Sequence, residues 1–416
     1  MRRFLLLSAI LAFITSCQND DDTITIICEI PSASNTTEIT SNSALLNWTN
    51  SNDVKTVIIE YGIGGFQIGT GTTISTSAAS LPLTNLDANT TYDYYILANC
   101  SADNVSMVSN VNSFTTDASP IVAEFLPNLS QLNIFIGDLE DLNISSKTFK
   151  YELNTSLFTD YAHKLRIIAL PDGTSLQYES DGFPVFPNGS LMAKTFYYNL
   201  DETDLSSGKK IIETRILIKE NDAWTLGNYK WNEEQTDATL DIEQHTVKVD
   251  WINSEGEDME ADYIIPGAND CTKCHSNSGN VTPIGPKLRT MNFDVNGVNQ
   301  LEQFIDAGHL TNSPNPSTIS KLPNWEDTNL TLEDRSRAYF DINCAHCHSP
   351  GGFCDPQSTL DMRLETVFDD TNIFQRRFSI AGRMSNYSPG TSMPLIGTTM
   401  VHSEGYALIQ EFLDTL

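Results

Sequence analysis

The sequence predicts a multidomain protein with an all-β sandwich, a β-rich middle domain and a mainly α C-terminal region. Short apolar runs between Thr-, Ser- and Asn-rich turns indicate strands in the first part of the chain. Longer strand-like runs follow in the middle. After Tyr263 the sequence changes to short helical segments and long loops, and the pattern Cys-x-x-Cys-His occurs there twice.

Residues 1–16 have the features of a lipoprotein signal peptide. Two arginines precede an apolar run at 4–14 that is too short to span a bilayer but suits a signal-peptide core. Residues 14–17 resemble a lipobox, which implies that Cys17 is lipidated and becomes the first residue of the mature chain. Ordinary secretory cleavage at the same place, without a lipid, is the alternative.

Residues 17–28 form an acidic tether. Its segment 18–22 resembles the acidic export tag that places some lipoproteins on the outer face of the outer membrane, although a solvated tether has the same composition. We therefore expect an outer membrane lipoprotein, on the periplasmic or the cell-surface side, that is held to the membrane by its lipid anchor only.

Residues 29–117 are predicted to form the sandwich, with strands at 44–48 and 56–61. Trp48 on an early strand, and Tyr92 just after a turn, resemble the fibronectin type III module, in which a tyrosine corner pins the turn into a late strand. The resemblance implies that both aromatic residues belong to the core. Modules of this type space or bind more often than they catalyse.

Residues 118–265 are predicted to form a second β-rich domain, with strand-like runs such as 211–218. The segment contains no catalytic motif. His163, His245 and the acidic-aromatic stretch 231–235 could line a site, or they could be solvated and structural.

The two Cys-x-x-Cys-His copies are the pattern by which a chain takes a haem onto two cysteine thioethers and an iron-binding histidine. We therefore expect two covalently bound haem c groups. A structural zinc would leave the histidine after each cysteine pair unexplained, and a thioredoxin-like dithiol would need a βαβ setting. The residues concerned are Cys271, Cys274 and His275 in the first copy, and Cys344, Cys347 and His348 in the second.

Residues 266–416 are predicted to be a di-haem cytochrome c-like region, built from short helices around the cofactors. The segment 285–288, Gly-Pro-Lys-Leu, is similar to the Gly-Pro-x-Leu element of class I cytochromes c. That similarity implies that the Pro286 carbonyl accepts a hydrogen bond from the iron-binding His275. An ordinary turn is the alternative. A helix is predicted at 300–305.

Met393 is the predicted distal ligand of the second haem. It lies 45 residues after His348 and precedes a predicted helix at 404–413, an arrangement that resembles the methionine loop and final helix of class I cytochromes c. A methionine opposite a histidine raises the reduction potential and suits electron transfer. Met384 and Met400 are the nearby rivals.

The first haem has no comparable methionine loop. Met291, His309 and His402 are its candidate distal ligands, and an open iron is the remaining possibility. His309 would give a bis-histidine haem of lower potential.

Three cysteines fall outside the anchor and the haem motifs. An oxidising compartment permits a disulfide between Cys28 and Cys100, and the fibronectin resemblance implies that the two lie close together. Cys354 remains, and a buried free thiol is the expectation for it.

The chain is strongly acidic, with a net charge of −30 from 54 acidic and 24 basic residues. Loss of the two signal-peptide arginines makes the mature chain more acidic still. Nucleic acid and anionic membrane surfaces are therefore poor partners, whereas a basic redox protein would be steered toward the molecule.

Several stretches together resemble a family of secreted di-haem proteins that has no established activity. They are 156–162, 212–215, the two haem motifs, 285–287 and 402–405. The resemblance implies haem binding and electron transfer, and it supplies no substrate. We expect an electron-transfer lipoprotein with a redox partner protein. The alternatives are a haem-dependent peroxidase or oxidase that uses an open first haem, and a glycan or protein binder built on the β domains.

Overall fold

The computed structural model describes residues 27–416. The chain divides into two compact units between Asp117 and Ala118. The predicted signal peptide at 1–16, the anchor Cys17 and most of the tether lie outside the described residues. Within 27–416, no helix combines the length and the apolar character that a membrane span requires.

The first unit is a sandwich of two antiparallel sheets. Its strands are β1 (Ser32–Thr37), β2 (Ser43–Thr49), β3 (Thr56–Ile63), β4 (Thr72–Thr76), β5 (Ser80–Thr84), β6 (Thr91–Ser101), β7 (Asn104–Val105) and β8 (Asn112–Thr115). One sheet has the order β1-β2-β5. The other has the order β4-β3-β6-β7, and β8 also pairs with β6.

Alternating side chains of these strands form the core of the sandwich. Leu46 and Trp48 on β2 are buried together with Ile59 on β3 and Ile96 on β6, so both sheets contribute to one core. The Tyr92 hydroxyl accepts a hydrogen bond from the backbone amide of Asp87 at 3.0 Å, which is the contact of a tyrosine corner.

Cys28 and Cys100 form a disulfide, with their Cα atoms 5.8 Å apart. The pairing expected from the sequence is therefore present. It ties the start of the described chain to the end of β6.

The second unit is built on a six-stranded antiparallel sheet in the order β15-β14-β13-β12-β10-β9. The strands of this part are β9 (Thr148–Lys150), β10 (His163–Ala169), β11 (Leu176–Gln177), β12 (Leu191–Asn199), β13 (Lys209–Glu220), β14 (Ala223–Trp231), β15 (Ala238–Leu240), β16 (His245–Ile252) and β17 (Asp258–Ile265). The predicted strand at 211–218 lies within β13, and β16 and β17 form a separate hairpin.

The helices follow the β17 strand. They are α1 (Ala268–Cys274), α2 (Leu288–Met291), α3 (Gln300–Asp306), α4 (Leu332–Asn343), α5 (Ile373–Met384) and α6 (Ser403–Asp414). Two-residue strands lie between them: β18 (Ser276–Asn277), β19 (Asn280–Val281), β20 (Asp294–Val295), β21 (Val298–Asn299) and β22 (Leu310–Thr311). The helices predicted at 300–305 and 404–413 are present in α3 and α6.

The six-stranded sheet is buried on both faces, which explains the nearly continuous apolar runs of its central strands. Ile216 on β13 packs against Leu129 and Leu132 on one face. Its neighbour Leu217 faces the other way and packs with Leu288 and Leu301 of the helical region. Because this second core contains side chains of both segments, residues 118–265 and 266–416 belong to one compact unit.

Candidate functional site

The second Cys-x-x-Cys-His motif begins where α4 ends. The Thr331 hydroxyl caps the start of this helix by accepting from the amide of Asp334 at 3.1 Å, and the helix ends at Asn343, directly before Cys344. Buried side chains of α4, α5 and α6 pack into one cluster around the motif. The second motif therefore follows directly on the C-terminal end of α4, and Thr331 caps the N-terminal end of that helix.

A cavity of about 330 Å³ opens beside this motif. Cys344, Cys347 and His348 lie on its wall, and the lining is mainly apolar. The apolar part of that lining includes Phe353, Leu360, Met362, Ile380 and Leu395. A volume of this order is typical of cofactor and ligand pockets.

Met393 lines the same cavity as His348. Its backbone amide donates to the Arg383 carbonyl at 2.9 Å, which fastens the loop to the end of α5. Of its two rivals, Met384 also lines the cavity, whereas Met400 packs against a cluster of buried residues from β12, β16 and β17.

His275, in the first motif, is held by a carbonyl that the sequence did not indicate. Its Nδ1 lies 3.0 Å from the Thr282 carbonyl oxygen, so the predicted bond to the Pro286 carbonyl is wrong. The β18–β19 hairpin returns the chain so that the Thr282 amide also donates to the His275 carbonyl at 2.6 Å. Gly285, in the Gly-Pro-Lys-Leu segment, has a φ of +107°, and a Cβ added there would lie only 2.8 Å from the Leu153 side chain.

This arrangement suits a histidine that binds a metal through Nε2. When Nδ1 donates to a carbonyl, the Nε2 lone pair remains available. Burial lowers the pKa of His275 to about 3, so the ring is neutral at pH 7. His348 differs, because its Nδ1 is buried without a hydrogen-bond partner among the described residues.

Cys274 lies on the wall of the cavity beside the second motif and on the walls of two further cavities. The smaller, about 60 Å³, is lined by Cys271, His275, Lys194 and Arg215 among others. The larger, about 390 Å³, has Ile284, Gly285, Lys287, Arg289, Ala345 and His346 on its wall. Cationic side chains are therefore present on both sides of the first motif.

The two cations of the smaller cavity differ in their partners. Arg215 donates to both carboxylate oxygens of Glu213, which also accepts from the Tyr263 hydroxyl at 2.6 Å. Lys194 has no hydrogen-bond partner among the described residues, and burial lowers its pKa to about 7. The wall beside His275 thus carries a buried amine that an anionic group would stabilise.

None of the predicted distal ligands of the first haem lines either cavity at Cys274. Met291 is buried in the core shared with the sheet. His309 stacks on Phe149 with a centroid distance of 4.0 Å. His402 accepts from the Tyr339 hydroxyl at 3.0 Å.

The structure places the two motifs side by side. The side-chain ligand atoms of Cys274, His346 and Cys347 all lie within 4.8 Å of one another. Backbone contacts join the same regions, since the Ser278 amide donates to the Gly351 carbonyl at 2.8 Å. His346 was missed by the sequence analysis, although its position inside the second motif, between the two cysteines, was a signal.

These three atoms could also hold a metal ion such as zinc, for which two thiolates and an imidazole are suitable ligands. Such a site would use one cysteine of each motif. It would leave Cys271, Cys344, His275 and His348 without a role. The donor set therefore favours the attachment pattern that uses both motifs completely.

Comparisons with known proteins concern the β-sandwich fold. No sequence model of a protein family matches the chain, and no curated protein matches it. A computationally redesigned β-sandwich protein is 27% identical, over 21% of this chain and 89% of its own, with a TM-score of 0.20. The fn3 domain of human contactin 1 is 19% identical, over 27% and 91%, also with a TM-score of 0.20.

A third solved structure, the fn3 domain of human collagen alpha-1(XX), is 13% identical over 23% of this chain and 89% of its own, with a TM-score of 0.20. Scores this low carry no argument by themselves. The fibronectin type III-like character of residues 29–117 follows from their two sheets and from the Tyr92 corner.

Proposed function

We propose that this protein is a lipid-anchored di-haem c-type cytochrome that transfers electrons to or from an extracytoplasmic partner. Cys271 and Cys274 would hold one haem c, and Cys344 and Cys347 the other, through thioether bonds. The observation that carries the proposal is the cavity at the second motif, which has the motif and the Met393 side chain on its walls.

The residues around the cavity beside the second motif fit a haem. Its mainly apolar lining suits the porphyrin, and Cys344, Cys347 and His348 lie on its wall. His348 and Met393 would hold the iron of that group, which would supply a one-electron couple, and a histidine–methionine pair favours the ferrous form. The role of the protein is to orient the two ligands and to exclude water.

The residues around the first motif fit a haem in a different way. His275 is neutral, and the Thr282 carbonyl orients its ring. Haem carries two carboxylates, and the unpartnered Lys194 on the cavity wall supplies a counter-charge for one of them. The proximity of Cys274 to Cys347 further supports electron exchange between the two groups, because each would carry a thioether.

An enzyme is the second candidate. The observation that favours it is the position of Met291, His309 and His402 away from the cavities at the first motif. With no such ligand, the first haem would be open to peroxide or another small oxidant, and the second would feed it electrons. The protein would then be a haem-dependent peroxidase or oxidase.

Localisation and partners belong to the same proposal. Cys17 would anchor the chain to the outer membrane, on its periplasmic or cell-surface side. A redox protein would be the electron partner. The sandwich and the other β-rich part could bind a glycan or protein ligand in addition.

The decisive experiment uses the holoprotein made with haem-maturation machinery. We expect a mass increase of two haems, two low-spin signals in low-temperature EPR, and a near-infrared methionine-to-iron band that is lost in Met393→Ala. Met400→Ala is the matched control and should retain the band. A high-spin, ligand-accessible haem would instead support the enzyme. Zinc in place of haem would refute both proposals.

A further inference from the structure

The charge of the chain changes abruptly around α5. No acidic residue occurs between Thr371 and Ser403, although the chain contains 54 of them. The same stretch contains three arginines, at 376, 377 and 383. It comprises α5 and the loop that carries Met393, and residues of both line the cavity beside the second motif.

The cavity beside the second motif is also lined by basic side chains. Arg376 and Arg383 lie on its wall, and none of its described lining residues is an aspartate or a glutamate. Phe353 and Leu395 also line it, and their side chains are exposed to solvent. The mouth of the cavity is therefore apolar and positively charged.

The outer face of α5 exposes two large aromatic side chains. Phe374 is 44% exposed and Phe378 is 78% exposed, whereas Ile373 and Ile380 on the same helix are buried. The Arg377 guanidinium lies 4.2 Å from the centroid of the Phe374 ring and 4.5 Å from that of Phe378. Arg376 and Arg383 project from the other side of α5, where they line the cavity. The name α5 face is used here for the whole exposed surface of the helix formed by Phe374, Arg376, Arg377, Phe378 and Arg383.

Aromatic residues and arginines are the residue types that are enriched at protein interfaces and that contribute most to their affinity. Covering an exposed phenylalanine removes apolar surface from water and is favourable. The Arg377 guanidinium lies over both rings and donates to the Phe374 carbonyl at 2.6 Å, and it has no carboxylate partner among the described residues. Together with the absence of acidic neighbours in sequence, this points to a partner whose surface is acidic around an apolar centre.

We infer that the α5 face is the docking surface for an acidic redox protein, which exchanges electrons with this chain at the cavity beside the second motif. The inference rests on the proposed function. It replaces, at this face, the basic partner that the net charge of the chain indicates.

The net negative charge of the chain does not prevent an acidic protein from binding at the α5 face. At physiological ionic strength the Debye length is about 8 Å, so charges far from the interface are screened while those within it act. The nearest acidic residues in sequence, Asp369 and Asp370, precede α5. Arg376, Arg377 and Arg383 lie beyond them, toward the loop that carries Met393.

The first test uses small oxidants of opposite charge. Reduced holoprotein is mixed in a stopped-flow instrument with hexacyanoferrate(III) or with tris(phenanthroline)cobalt(III) over a range of ionic strengths. We expect the rate with the anion to fall as salt is added. The double variant Arg376→Gln/Arg377→Gln should lower that rate about fivefold at low salt, because two nearby attractive charges are lost.

Arg383 is left unchanged in this test, because its side chain and backbone hold the Met393 loop through Thr391 and Met393. The matched control is Lys55→Gln/Lys321→Gln, which removes two exposed cations elsewhere and should leave the rate unchanged. An anion rate that rises with salt and does not respond to the arginine changes would overturn the inference. Absence of haem from the unmutated protein would refute the proposed function instead.

The second test uses protein oxidants. A plastocyanin-type acidic copper protein and a basic c-type cytochrome are compared, with Phe378→Ala as the variant. We expect the variant to lower the second-order rate with the acidic protein about tenfold and to leave the hexacyanoferrate rate unchanged. A preference for the basic cytochrome would contradict the inference. So would binding to phosphatidylglycerol vesicles that is lost in Arg376→Gln/Arg377→Gln, since the face would then be a lipid contact.

Discussion

The buried carboxylate of Asp160 holds Thr399, which lies 239 residues further along the chain. The Thr399 amide and hydroxyl each donate to Asp160 at 2.8 Å, and the Met400 amide donates at 3.2 Å. Burial raises the pKa of Asp160, and these hydrogen bonds counteract the shift. Through this contact the β-rich part of the unit fixes the end of the loop that carries Met393.

Replacing Asp160 with alanine should therefore loosen the methionine loop. The change leaves three donors without their acceptor, and we expect a loss of about 3 kcal/mol in the free energy of unfolding. The near-infrared methionine-to-iron band of the holoprotein should weaken as well. Asp172→Ala, at an exposed carboxylate, is the control and should change neither. An unchanged band in Asp160→Ala would show that the hydrogen bonds of Asp160 do not control the position of Met393.

A pair of glycines tests whether the contact between the two motifs matters. Gly351 has a φ of +79°, and a Cβ there would overlap the Ser278 hydroxyl oxygen. Gly279 has a φ of +80°, and a Cβ there would meet nothing within 4 Å. Both alanine variants carry the backbone strain of about 1–2 kcal/mol, but only Gly351→Ala also places a methyl group against the Ser278 side chain and backbone amide, at the contact between the two motif regions.

We therefore expect Gly351→Ala to be less stable than Gly279→Ala in chemical unfolding. It should also change the separation of the two haem potentials in a redox titration, whereas Gly279→Ala should not. Equal effects of the two variants would mean that backbone strain alone is responsible.

The tyrosine corner is testable in the first unit. Tyr92→Phe removes the hydroxyl that accepts from the Asp87 amide, and it should destabilise the sandwich by about 1 kcal/mol. Tyr95→Phe on the same strand is the control. Differential scanning calorimetry of the full chain should show a lower melting temperature for one transition only. A shift of every transition would contradict the assignment of Tyr92 to the first unit alone.

His402 predicts a pH dependence of stability. Burial lowers its pKa to about 4 from 6.5, while the Tyr339 hydroxyl donates to its Nδ1. Because the unfolded state takes up the proton first, stability should fall as the pH falls from about 6.5 to about 4, by up to about 3 kcal/mol. His402→Gln should flatten this part of the curve. Urea unfolding at a series of pH values measures it, and identical slopes in both proteins would refute it.

Much of the architecture was predictable from local patterns. The strand periodicity indicated β2, β3 and β13, and the turn before Tyr92 indicated the corner. The helices α3 and α6 were predicted for the same reason. These features depend on residues within a few turns of one another, so spacing and propensity suffice to specify them.

The carbonyl that orients His275 illustrates the limit. Sequence similarity favoured Pro286, and the structure uses Thr282, because a two-residue turn at Ser278 and Gly279 folds the chain back onto the histidine. The turn is local, but which carbonyl reaches Nδ1 depends on how the hairpin packs against the histidine.

The sequence by itself determined the chemistry available to this protein: two cysteine pairs, each followed by a histidine, a lipobox-like cysteine and a methionine loop. Only the tertiary structure decided that Cys274 lies beside Cys347, that Asp160 binds Thr399, and that one core joins the sheet to the helices. The reason is physical. Side-chain chemistry and local spacing are properties of short segments, whereas these contacts join residues 71 to 239 positions apart and form only when the segments pack together.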